Sequence, residues 1–99
     1  MRTRFEWDPG KAKSNHRKHG VRFEMAIRVF ADPFALTVQD RIEGNELRWK
    51  TVGVVEGFLL LVVAHTAVDD EGDGEVIRII SARRAGSKEG RCYEENCAL

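Results

Sequence analysis

Seven consecutive apolar residues, Phe58-Leu-Leu-Leu-Val-Val-Ala64, restrict this chain more than any other stretch. A membrane helix needs about 20 such residues, so the run is too short to span. It is apolar at both odd and even positions, as a central strand covered on both faces must be. Continued to Thr66, it becomes one of four strand candidates in succession, with Phe34–Arg41, Leu47–Val55 and Glu75–Ala82. The separators are Glu43 to Glu46, Glu56-Gly57 and Asp69 to Gly74, all too short for parallel crossovers, so an antiparallel meander is predicted. In Leu47–Val55 the alternation sets Arg48 and Lys50 on one face, opposite Trp49. The acidic Asp69–Gly74 segment is a hairpin loop rather than a calcium loop, whose twelfth position would here be Ile80 instead of glutamate.

The first third has a different character. Thr3 to Trp7 alternates as a short edge strand. Asp8-Pro9 then opens a helix that Gly20 stops. Inside that helix Ala12 is the only apolar side chain, so it has no stripe to bury and is either a solvated ornament or a binding surface, the latter favoured by Lys11, Lys13, His16, Arg17, Lys18 and His19. His16 and His19 share a helical face, but no third ligand follows at a convincing spacing, so neither metal nor other cofactor is expected. Val21 to Ala31 reads as a second helix burying Phe23, Ala26, Ile27 and Phe30, and Asp32-Pro33 ends it. A last helix, capped by Ser87 and running to about Asn96, buries little beyond Cys92 and Tyr93. Cys92 and Cys97, five apart, read as free thiols.

Ninety-nine residues suit one domain, 1–99, with one core. Formal net charge is zero, yet residues 1–30 hold eight Lys/Arg against three Asp/Glu, while residues 31–74 hold three against nine. That basic first third reads either as the footprint of a nucleic-acid partner or as a basic helix that only faces water. The N-terminus has no hydrophobic signal core, and a cytoplasmic protein is expected.

Glu75 to Gly86 combines a buried-strand composition with Arg78, Arg83 and Arg84. A lone arginine on such a strand reads as paired with a carboxylate across the sheet, whereas two on one strand and its exit also suit an anion site, because guanidinium forks match phosphate oxygens two at a time. Strict alternation would set Arg83 and Arg78 on opposite faces. Either the chain turns Arg83 back after Ser81, or one of the pair is structural.

Phe5-Glu-Trp-Asp-Pro9, Asn15, Lys18-His-Gly-Val21, Phe23 with Ala26, Val29-Phe-Ala-Asp-Pro33, Glu46/Arg48, Arg78-Ile-Ile-Ser-Ala-Arg83 and Glu89/Tyr93 together resemble the BrnT toxins of bacterial type II toxin–antitoxin modules. The resemblance spans residues 5 to about 95. It implies an α+β, RelE-like fold: an antiparallel sheet with two N-terminal helices packed on it and a short C-terminal helix. It also implies a ribonuclease that blocks translation, with no cofactor and no membrane association. The partner would be a BrnA-like antitoxin, two copies of each chain together, that represses the operon, so that operator DNA is met only through the antitoxin. Two positions depart from the pattern. Ala67-Val68 follow Thr66 where an arginine is common, and Arg22 replaces a small capping residue.

Metal-free cleavage by the RNA 2′-hydroxyl needs a base, cations on the phosphate and an acid for the 5′-oxygen. Arg83 and Arg78 are the candidate phosphate stabilisers. His19, His16 or Lys11 would carry one proton and His65 or Tyr93 the other. Lys13, Arg17, Lys18, Arg48, Arg84 and Tyr93 are candidate RNA contacts. Trp7 either stacks a base or packs in the core, and His65 is either catalytic or a hydrogen-bonded structural residue. A non-catalytic subunit that keeps the toxin fold and binds antitoxin or RNA is the alternative function.

Overall fold

The computed structural model describes residues 2–70, 72 and 74–95. Its elements, in chain order, are β1 (Arg2–Glu6), α1 (Pro9–His19), α2 (Phe23–Ala26) with a 3-10 turn (Ile27–Ala31), β2 (Leu36–Glu43), β3 (Glu46–Val55), β4 (Leu59–Asp70), β5 (Gly74–Arg84) and α3 (Ser87–Glu95). The strands form one sheet in the order β1-β5-β4-β3-β2. The β2–β5 meander is antiparallel, with β4 and β5 as neighbouring inner strands. β1 corrects the all-antiparallel expectation by pairing parallel to β5, Arg2 beside Gly74 through Glu6 beside Arg78. β1 is joined to its neighbour β5 by no turn at all, since the helices and three strands lie between them, so turn lengths could not reveal this pairing.

One face of the sheet carries the core. Val55, Leu61, Val63, Ile77, Ile79 and Ala82 meet Val21, Phe23, Ala26 and Val29 there. Asp8 caps α1 by accepting from the Lys11 N–H, and Gly20 closes it at φ 71°, a left-handed conformation that favours glycine. The expected second helix is corrected to a four-residue α-turn followed by a 3-10 turn. Winding at three residues per turn aligns Phe23, Ala26 and Val29 inward, and leaves Ile27 and Phe30 only half-buried. Gly53 allows this approach, because a Cβ there would lie 2.9 Å from the Val29 carbonyl oxygen. Arg22, as anticipated, gives α2 no side-chain cap. The central strand begins at Leu59, while Phe58 stays in the β3–β4 turn, 83% exposed.

Two side chains complete strand edges that the sheet leaves open. β1 stops beside Arg78, so farther along β5 Asn15 takes the place of a strand: its Nδ2 donates to the Ala82 carbonyl (2.9 Å) and the Ala82 N–H donates to its Oδ1 (3.1 Å). The same Nδ2 also reaches the Val21 carbonyl. Asp32 does likewise for β3 beyond β2, accepting from the Val54 N–H at 2.8 Å. Cys92 is disulfide-bonded, which corrects the free-thiol reading for that residue. Cys97 and Asn96 lie outside the described residues.

Candidate functional site

The second face of the sheet collects the strand cations. β5 carries one extra residue, Ile80, because His65 pairs with Ile79 whereas Ala64 pairs with Ser81. This bulge offsets the alternation by one. Arg78 opposite Thr66 and Arg83 opposite Val62 therefore share the face away from the core, and neither earlier account of Arg83 is needed. Lys50, opposite Ala64, lies on the same face at a level between them. Arg48 falls there too, two residues along β3. At about 3.3 Å per residue, the Arg78 and Arg83 levels are roughly 13 Å apart.

Carboxylates hold all three arginines. Arg78 Nη2 donates to both oxygens of Glu46 at 2.6 Å. Arg83 makes a fork with Glu89 of α3, Nη1 to Oε1 at 2.9 Å and Nη2 to Oε2 at 2.6 Å. Arg48 Nη1 lies 3.3 Å from Glu43, and its buried Nε has no acceptor among the described residues. The hydrogen bonds from Arg83 depress the Glu89 carboxyl to about 2, against the opposing effect of partial burial. Arg78 keeps Nη1 and Nε uncommitted among the described residues, and Lys50 meets Glu89 only through the field between their charges.

α3 lies across one end of this face. Besides Glu89, its tie to the body is Tyr93, whose hydroxyl donates to Asp32. Burial, then that hydrogen bond and the Asp32 charge, push the Tyr93 phenol up to about 12. At Asp32, partial burial favours the neutral acid, but hydrogen bonds from Tyr93, Val54 and Phe34 outweigh it and hold the carboxyl below its ordinary value. The bond to Asp32 occupies the hydroxyl offered as proton carrier and RNA contact.

Several sequence candidates are not brought to this face. His65 is 2% exposed on the core side, with Phe30 edge-on at 4.9 Å and Nε2 bonded to Thr51 Oγ1 at 2.7 Å. Burial lowers its imidazole pKa, against a hydrogen bond with the Thr66 carbonyl. Trp7 packs edge-on against Phe23 at 5.9 Å, at the periphery of the core and half-buried. Lys11, Lys13, His16, Arg17, Lys18 and His19 are all exposed on α1, which packs on the core side. Arg84, pairing with Leu61, also faces that side and lines a small cleft with His16 and Arg22. The α1 candidates and Arg84 therefore lie on the core side of the sheet, and Arg78 and Arg83 on the other. Lys50 is what sequence reasoning left out of the site. Its sharing a face with Arg48 was readable; its level between the two β5 arginines required the register.

Fold and surface together define a small α+β protein whose mixed sheet carries Arg48, Lys50, Arg78 and Arg83 on the face away from the core. The family model described as "Ribonuclease toxin, BrnT, of type II toxin-antitoxin system" matches residues 7–89, and the chain belongs to that family. Among solved structures it is similar to the crystal structure of the Brucella abortus ribonuclease toxin BrnT, at 22% identity and a TM-score of 0.62, over 87% of this chain and 100% of that one. No curated protein sequence matches.

Proposed function

We propose that this chain is a metal-independent endoribonuclease of RelE-like type, acting in the cytoplasm to cut RNA and inhibit translation. Its inhibitor would be a BrnA-like antitoxin in a complex of two copies of each chain. The observation that carries the reading is the bulge at Ile80, which brings Arg83 to the face that also carries Arg78, Arg48 and Lys50. A phosphodiester on that face meets the donors that Arg78 leaves free. Glu46, bonded to Arg78, accepts the 2′-hydroxyl proton as the 2′-oxygen attacks phosphorus. Charge that builds on the phosphate oxygens is met by Arg78 and by Arg83, once Glu89 yields to the phosphate. Lys50 protonates the departing 5′-oxygen, leaving a 2′,3′-cyclic phosphate.

The test is cleavage of RNA by purified protein in excess EDTA, with Arg78→Ala and Arg83→Ala variants checked by circular dichroism. Wild type is expected to cut, and each variant to lose about 10²–10³ in rate, the usual cost of one preorganised donor. Lysine at either position restores only part, since it keeps the charge and loses the fork. Full cleavage by folded alanine variants, or chelator-sensitive cleavage restored by zinc, would remove the mechanism. The second reading, a non-catalytic subunit, draws on the three carboxylate-clamped arginines and on Ala67-Val68 in place of the family arginine. Wild type that co-purifies with its antitoxin and leaves RNA intact would establish it.

A further inference from the structure

Two groups among the cations of this protein differ in their partners. Arg28, Arg41, Arg48, Arg78 and Arg83 each form an ion pair with a glutamate. Lys11, Lys13, Arg17 and Lys18 of α1, together with Arg22 and Arg84, form none among the described residues, and α1 itself holds no Asp or Glu. The fold does not require these charges. α1 is anchored through Asn15 and half-buried Ala12, and the rest of its surface is exposed. The helix dipole favours cations only in the last turn, which accounts for Arg17 and Lys18 but not for Lys11 and Lys13 near the N-terminus. Lys13 and Arg17, four apart, are like charges that oppose the helix they sit on.

The β5 exit joins this surface to the sheet face already described. Arg83 and Arg84 are consecutive, yet Arg83 faces α3 and Arg84 faces α1, where it lines a cleft of about 190 Å³ with His16, Arg22, Met25 and Leu59. A polyanion held at Arg83 therefore meets Arg84 by passing over the end of the sheet, and continues along α1. Such a path bends sharply within one residue step of the strand, which suits a flexible single strand and not a stiff duplex. We propose that α1, Arg22 and Arg84 form a second RNA-backbone surface, on which single-stranded RNA lies beyond the nucleotides engaged by Arg78 and Arg83. This rests on the ribonuclease reading for the placing of the reacting phosphate and adds where the remainder of the strand goes.

The probe is a pair of fluorescent 2′-O-methyl oligonucleotides, 4 and 16 nucleotides long, which cannot be cleaved through the 2′-oxygen. Binding is followed by anisotropy across a salt series, for wild type and a Lys13→Gln/Arg17→Gln/Arg84→Gln variant whose melting curve is measured alongside. Wild type is expected to bind the 16-mer more tightly and with a steeper salt dependence than the 4-mer. In the triple variant the slope of log affinity against log salt for the 16-mer should fall by about 2, three lost contacts at roughly 0.7 each. Its affinity at low salt should fall at least tenfold. An unchanged slope in a folded triple variant overturns the proposal, and does so without touching the catalytic reading if Arg83→Ala still abolishes cleavage. Weakened 16-mer binding in the triple variant, beside a wild type that never cleaves, upholds the surface and removes the nuclease instead. Binding of poly-glutamate as tight as that of the 16-mer would assign the surface to an acidic protein and overturn RNA.

Discussion

Asn15 illustrates what a single residue carries here. It is 6% exposed in an otherwise solvated helix, and its amide satisfies both backbone groups of Ala82 as well as the Val21 carbonyl. Removing it strands buried polar groups, at about 1–3 kcal/mol each. Asn15→Ala is therefore expected to lower unfolding free energy by about 2–4 kcal/mol in urea titrations. Asn15→Asp should be worse at neutral pH, because a carboxylate would face two carbonyl oxygens that the amide had donated to. Equal losses for the two variants would show that the amide hydrogens do not matter. The sequence contained Asn15 as part of a family pattern, but nothing in its spacing disclosed that its partner is 67 residues away. His65 was similarly ambiguous, since a histidine closing a buried strand suits catalysis or a core hydrogen bond equally well. Its burial beside Phe30 and Thr51 was decided by which face the register gave it.

At the scale of elements, the strands were legible and the second helix was not. Alternation and short turns located β2 to β5 to within a few residues, because both signals are local. The close packing of the 3-10 turn on the sheet is permitted by Gly53, on another element, where a side chain would meet Val29. α3 is the least anchored element, with no buried residue and with Glu89 and Tyr93 as its polar ties. Glu89 also occupies Arg83, so the helix competes with any phosphate for that guanidinium. In Glu89→Gln the charge is gone and Arg83 is released. Amide exchange from Gly90 to Glu95 is expected to quicken about tenfold while β4 stays protected, and RNA cleavage to rise severalfold. Unchanged exchange in α3, or a loss of protection spread over the whole sheet, would show that Glu89 is not its latch.

For the whole molecule, titration couples these features to stability. Folding lowers the His65 imidazole pKa, so below the ordinary value of about 6.5 the unfolded chain binds the extra proton and stability falls. Glu89 is held near 2 in the fold, so its contribution is intact above the ordinary carboxylate range and is lost as pH drops toward 2. Because Arg83 is 43% exposed, solvent limits that second contribution to about 1 kcal/mol. Urea midpoints should decline in two steps, the first beginning near pH 6.5 and absent in His65→Gln, the second beginning near pH 4.5. A flat profile between pH 7 and 5 in wild type would contradict the first. What the sequence could not disclose at this scale is the division of charge between two sides, and that division hangs on Ile80. A one-residue insertion in a strand works as a parity switch for everything beyond it. Flattening the bulge while keeping Ile80 in the ladder would exchange the outlooks of Arg83 and Arg84, parting Glu89 from its guanidinium and turning Ala82 out of the core, whereas excising Ile80 would leave every residue beyond it facing as it does now.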